Sequence, residues 1–193
     1  MKLLISIILI GLSSSILLSN QNQKKDTEFN SIVNDGKKAS KVLISTLGKT
    51  MQNHMKQGGP IAALDVCSTK AFLLTEEVNK KLPNGTSVKR ISLKYRNPTN
   101  EPQYNEFEVL KSLEKLKDTN IVLPDYLIEK LDNNTFKFYK PLVIKDKVCL
   151  ICHGSLTNDV NLKKAISSKY PMDNAVNYKM GDLRGAVVVI IKR

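Results

Sequence analysis

An α+β fold with an antiparallel sheet is the class that the sequence predicts, and three observations carry it. Helical apolar spacing dominates the first half of the chain. Two-residue alternation and β-branched runs come later, and no regular strand–helix alternation links the two parts.

Taken in order, Phe29 to Met55 places Ile32, Val33, Gly36, Ala39, Leu43, Leu47, Met51 and Met55 at spacings of three and four, an amphipathic helix that Gly58-Gly59-Pro60 ends. Proline suits a first helical turn, so Pro60 opens a second helix running to about Lys80. Leu64, Cys67, Ala71, Leu74 and Val78 share one face of it, and Pro83-Asn84-Gly85 breaks it. Ile91, Leu93 and Tyr95 alternate with Arg90, Ser92 and Lys94 as in a half-buried strand. Residues 97–102 form a loop, Phe107, Leu110, Leu113 and Leu116 stripe a third helix, and a loop-rich stretch follows to Thr135. Phe136 to Ile144 reads as one or two strands interrupted at Pro141. The β-branched run Gly185 to Ile191 suits a central strand, and there is no internal repeat.

At 193 residues and 41% apolar content, the chain suits one domain plus a targeting segment, with no room for a second output module. Met1-Lys2 and the apolar run Leu3 to Leu18 have the layout of a secretory signal over residues 1–22. No A-x-A site precedes the polar turn at Asn20, so an uncleaved anchor is the alternative, although the run is short for a membrane span. Either way residues 26–193 are expected outside the cytoplasm, as a periplasmic domain that is soluble or N-terminally anchored. Membrane contact is expected only if the segment stays uncleaved. The net charge is +12, but only four of thirty basic residues are Arg and the Lys are scattered. With 6% aromatics this argues against a nucleic-acid-binding stripe and for a solvated surface that serves solubility, the alternatives being a basic surface that steers an acidic redox partner or touches an anionic membrane.

Cys149-Leu150-Ile151-Cys152-His153 is the attachment signature of c-type haem. Two thiols at this spacing can each add to a vinyl group of one porphyrin, and the following histidine is then held under the iron. A thioredoxin-like pair would need a βαβ setting, and a zinc site two further Cys or His nearby; neither is found. One covalent haem c, held by Cys149, Cys152 and His153, is therefore the expected cofactor. Cys67 is left over without a disulfide partner. By position it is either a small buried hydrophobe or the distal iron ligand, its thiolate stabilised by Fe(III). His54, Met51, Met55, Met172 and Met180 are the rivals for that place.

Three stretches carry a family resemblance: Arg90-Ile91-Ser92-Leu93-Lys94-Tyr95-Arg96-Asn97-Pro98-Thr99-Asn100-Glu101-Pro102; the C-x-x-C-H motif with Gly154; and Tyr170-Pro171-Met172-Asp173-Asn174-Ala175 leading to Gly181-Asp182-Leu183-Arg184-Gly185. In this order they resemble the PAS-like family of single-haem c-type proteins, which stand alone as exported proteins or serve as extracytoplasmic domains ahead of bacterial histidine kinases. The resemblance implies a PAS-like sheet with N-terminal helices and iron held by His153 and Cys67. The family often has a tryptophan just before the R-x-S-L segment; here Val88 occupies that neighbourhood, and Ile91 replaces a commoner small polar residue. Arg90 and Arg96 become candidates for the haem propionates, since a guanidinium matches a carboxylate in two-point geometry; the alternative for both is surface charge.

The function expected is an exported redox-sensing or diatomic-gas-sensing module that acts on an unknown partner protein. A low-potential monohaem electron-transfer cytochrome is the alternative. An enzyme is not expected, because no distal His/Arg acid–base pair can be identified.

Overall fold

A computed structural model describes the backbone from Leu4 to Arg193, with side chains at residue 23 and from residue 25 onward. The expected signal or anchor at 1–22 lies outside the residues whose side chains are described. Among the described residues no helix is long and apolar enough to cross a membrane. The chain divides into two compact units, Met1–Asp35, which is helical from Leu4, and Gly36–Arg193, which holds the sheet and the candidate site.

Helix α1, Leu4–Thr69, is interrupted by non-helical backbone at Gly58 and Gly59. At φ 67 Gly59 occupies the left-handed region that L side chains avoid, so the glycine pair allows the turn and Pro60 restarts the helix. The expected helix from Pro60 to Lys80 is observed as two pieces, since α1 ends at Thr69 and α2 spans Ala71–Lys81. At the join Ser68 and Thr69 both donate their hydroxyls to the Asp65 carbonyl at 2.8 Å.

The sheet is four-stranded and antiparallel, in the order β1-β4-β3-β2, with β1 Thr86–Ile91, β2 Leu127–Lys130, β3 Thr135–Val143 and β4 Leu183–Lys192. With helices α1 to α5 this is the mixed α+β class that the spacing predicts. The C-terminal run is central as expected, and Gly185 to Val189 is buried throughout.

Two expectations need correcting. The alternation of Ile91, Leu93 and Tyr95 is not a strand: β1 ends at Ile91, and Ser92 turns its N–H to the Asn100 carbonyl and its hydroxyl to the Arg184 carbonyl. Pro141 does not interrupt β3. Strand β2 pairs only with Phe136 to Tyr139, so at Pro141 the strand has β4 on one side alone, the edge position where a missing N–H is tolerated. Strand β2 itself lies in the stretch expected to be loop.

Helix α3, Tyr104–Asp118, matches the third apolar stripe and opens with a reciprocal capping box between Gln103 and Glu106. Two short helices carry no element in the sequence reading. Helix α4, Lys147–His153, is capped by the Asp146 side chain on the Val148 N–H, and α5, Val160–Lys169, by Asp159 on the Leu162 N–H. Leu64 on the last arm of α1 packs with Leu156, Leu162 and Ile166, and Cys152 lies against that cluster. Cys149 lies against a second cluster of Ile144, Ala175 and Tyr178.

Candidate functional site

Cys149, Cys152 and His153 occupy the last turns of α4, with the two cysteines three residues apart and so on one side of the helix. All three are partly exposed and both thiols are free. Burial pushes the pKa of each thiol up.

His153 Nδ1 lies 2.8 Å from the Ala175 carbonyl. A carbonyl can only accept, so Nδ1 carries the hydrogen and Nε2 keeps its lone pair for a metal. Burial, and then the positive charges of Arg184, Arg96 and Arg90, drive the His153 pKa down to about 3, against the weaker opposing pull of the Ala175 bond. The ring is therefore a neutral imidazole at ordinary pH, the form that ligates metals.

Arg96 holds this arrangement together. Its Nη2 faces three oxygens, the Cys152 carbonyl at 2.7 Å, Asp173 Oδ2 at 2.9 Å and the Ala175 carbonyl at 3.2 Å. Asp173 in turn accepts the Ala175 N–H at 2.9 Å. One guanidinium thus ties the end of α4 to the loop that orients His153. The loop is also bound by backbone bonds from Tyr178 N–H to the His153 carbonyl (2.9 Å) and from Asn177 N–H to the Gly154 carbonyl (3.1 Å).

Cys67, near the end of α1, is open to solvent but crowded by protein on its other side, and that crowding pushes its pKa up while Arg90 and Arg96 pull it down. Its charge also acts on Cys152 and Tyr170, and Tyr170 Oη lies 3.5 Å from the Cys67 carbonyl. Cys67 therefore faces the same region as the motif. Arg90 feels the Cys67 and Tyr170 charges too, and among the described residues it has no hydrogen bond or ion pair.

The rivals lie otherwise. His54 donates from Nδ1 to the Thr50 carbonyl of its own helix at 2.9 Å, Met51 and Met55 are half-buried on α1, and Met172 and Met180 are exposed.

Arg184, quoted above only as part of a motif, belongs to the site. It donates to Ser92 Oγ at 2.7 Å and to the Lys94 carbonyl at 3.3 Å, and it heads the charges acting on His153. The sequence held a signal for it. In a chain of lysines, three of the four arginines, Arg90, Arg96 and Arg184, converge on one site.

The residues fit a haem. The donor set pairs two alkylatable thiols with a pre-oriented neutral imidazole and a third, facing thiol, and the buried Nε of Arg96 has no hydrogen-bond partner among the described atoms.

Fold and site together define a mixed α+β protein built around a C-x-x-C-H helix. The chain belongs to the Tll0287-like family, whose model matches residues 19–192. No curated protein matches it. The crystal structure of the cyanobacterial heme-protein Tll0287 aligns with a TM-score of 0.56 at 22% identity, covering 86% of this chain and 96% of that one, a likeness of fold.

Proposed function

We propose that the chain is an exported c-type haem protein with a PAS-like domain over residues 26–193, which senses redox state or a diatomic gas through a thiolate it can release. One observation carries the reading: His153 follows the cysteine pair directly, with Nδ1 committed to Ala175 and Nε2 left free, and Cys67 faces the same region. That the fold is shared with a heme-protein supports it. Haem would supply an iron that changes charge by one unit and, when ferrous, takes CO or NO.

The chain's own part is to hold it. Cys149 and Cys152 would make the attachment, His153 and Cys67 would ligate the iron, and Arg90, whose side chain has no hydrogen bond or ion pair among the described residues, is the better placed of the two proposed propionate partners. Arg96 already spends Nη2 on three protein oxygens and has Nε to offer. Cys67 is the weak link by design of its surroundings: burial favours its protonated form, so a drop in the positive charge it faces, or in pH, favours release. Its helix is coupled to α5 through Leu64, which gives a partner protein something to read.

The test is CO added to the dithionite-reduced protein at several pH values, with the Soret band recorded and limited proteolysis around Gly58-Gly59 as the structural readout. Sensing predicts CO binding that strengthens as pH falls, with altered cleavage. A ferrous form that stays six-coordinate, ignores CO and is cleaved as before would make the protein a low-potential electron carrier instead, since a carrier keeps both ligands.

A further inference from the structure

The ring beside His153 is Tyr178, a buried residue to which neither the motif nor the ligand set assigns a part. Its ring is perpendicular to the imidazole, at 88° with centroids 6.2 Å apart. Two cations lie over its face, Lys94 Nζ at 4.5 Å and Arg184 Cζ at 5.3 Å from the centroid. Neither cation is loose. Lys94 Nζ donates to the Val176 carbonyl at 2.8 Å, and Arg184 Nη1 is held by Ser92 Oγ and the Lys94 carbonyl. The Tyr178 N–H is bonded to the His153 carbonyl itself.

The Ala175 bond fixes which nitrogen of His153 is free, but a single hydrogen bond leaves the ring able to rock about its axis. A perpendicular aromatic ring limits that rocking, and cations over its face hold the aromatic in place. We propose that Tyr178 is a positioning residue for His153: with Lys94 and Arg184 it fixes the plane of the imidazole and sets the positive field in which Nε2 donates. The proposal rests on the haem reading above and assigns a role that the ligand set alone does not require.

The experiment uses the mature haem-loaded protein and two readouts, the ferric EPR spectrum and the midpoint potential. Tyr178→Phe keeps the ring and is expected to retain a single low-spin species. Tyr178→Leu removes the ring and is expected to give a second low-spin species or broadened lines, from more than one imidazole orientation. Arg184→Gln and Lys94→Gln each remove positive charge near the ligand, which favours Fe(III), so both are expected to lower the midpoint. A Tyr178→Leu protein with the wild-type EPR spectrum overturns the proposal. Should that variant fail to fold, unchanged midpoints in both charge variants overturn it. A wild-type protein that carries no haem would overturn the functional reading as well; haem present with every variant unchanged would overturn this inference alone.

Discussion

Arg96 concentrates the physics of the site in one side chain. Its guanidinium and the Asp173 carboxylate are both more than nine-tenths buried, 2.9 Å apart, and removing one partner of such a pair leaves an unpaired buried charge, typically at a cost of about 3–5 kcal/mol. Arg96→Met is thus expected to lower the unfolding midpoint in a thermal melt, and Asp173→Asn to do so less, since its amide oxygen can still accept. Equal, near-zero shifts would show that the clamp contributes nothing. Arg96 illustrates what the sequence hides: its partners at Cys152, Asp173 and Ala175 lie 56, 77 and 79 positions away, and no local pattern reports that they meet.

At the same scale, Cys67→Ser tests the distal assignment. An anionic thiolate favours Fe(III), so the wild-type midpoint is expected well below that of His/Met cytochromes c. The serine variant is expected to lose thiolate absorption and become high-spin or re-ligated. An unchanged spectrum would turn attention to the methionines and to His54, whose Nδ1 bond to its own helix likewise leaves Nε2 free.

Among the elements, α3 is anchored by a buried acid. Glu106 is sealed from solvent, with Oε2 2.9 Å from Lys89 Nζ and 3.0 Å from the Gln103 N–H, and Oε1 3.2 Å from Lys137 Nζ, an ion-pair distance without hydrogen-bond alignment. Burial alone would raise its pKa, but the Lys89 and Gln103 hydrogen bonds and the lysine charges outweigh it and hold the pKa below the usual value. A depressed acid stabilises fully above its unfolded pKa, here 4.5, and that stability is lost as pH falls through the folded value. Glu106→Gln is expected to cost about 3–5 kcal/mol at neutral pH. Denaturant unfolding at a series of pH values should show a smaller acid loss in the variant than in the wild type; parallel curves would contradict the assignment.

Elements with long apolar periods were readable in the sequence: α1, α3 and the central strand β4. The strand after Val88 was misplaced because alternation continues past Ile91 while the hydrogen bonds do not. Gly185 sets that limit. It sits at φ 151, and a Cβ there would run into the Ile91 carbonyl, so the sheet edge closes tightly at the point where Ser92 departs. Helices α4 and α5 are too short for a periodic signal, and only their Asp caps mark them.

For the whole molecule, the distribution of cations is the informative quantity. The chain carries +12, its lysines scattered, while three of its four arginines gather at the site, where two of them, Arg90 and Arg184, have pKa values lowered by burial. On the proposed reading such a field would suit an anionic cofactor edge and an acidic partner, and salt should suppress any rate enhancement it gives. The proposed ligands, read from the motif and from the family resemblance, lie near one another in the fold, whereas of the network around them only Arg184 was legible, as an unassigned motif residue, and Tyr178 lay between the motif stretches.

On the proposed function Cys149 and Cys152 carry one haem covalently. Its most direct test is the intact mass of the denatured protein after co-expression with c-type maturation machinery and export. The expected mass is that of the mature polypeptide plus one haem, retained through acid–organic extraction and lost in Cys149→Ala/Cys152→Ala. A bare polypeptide mass, with haem absent or extracted into the organic phase, would contradict it.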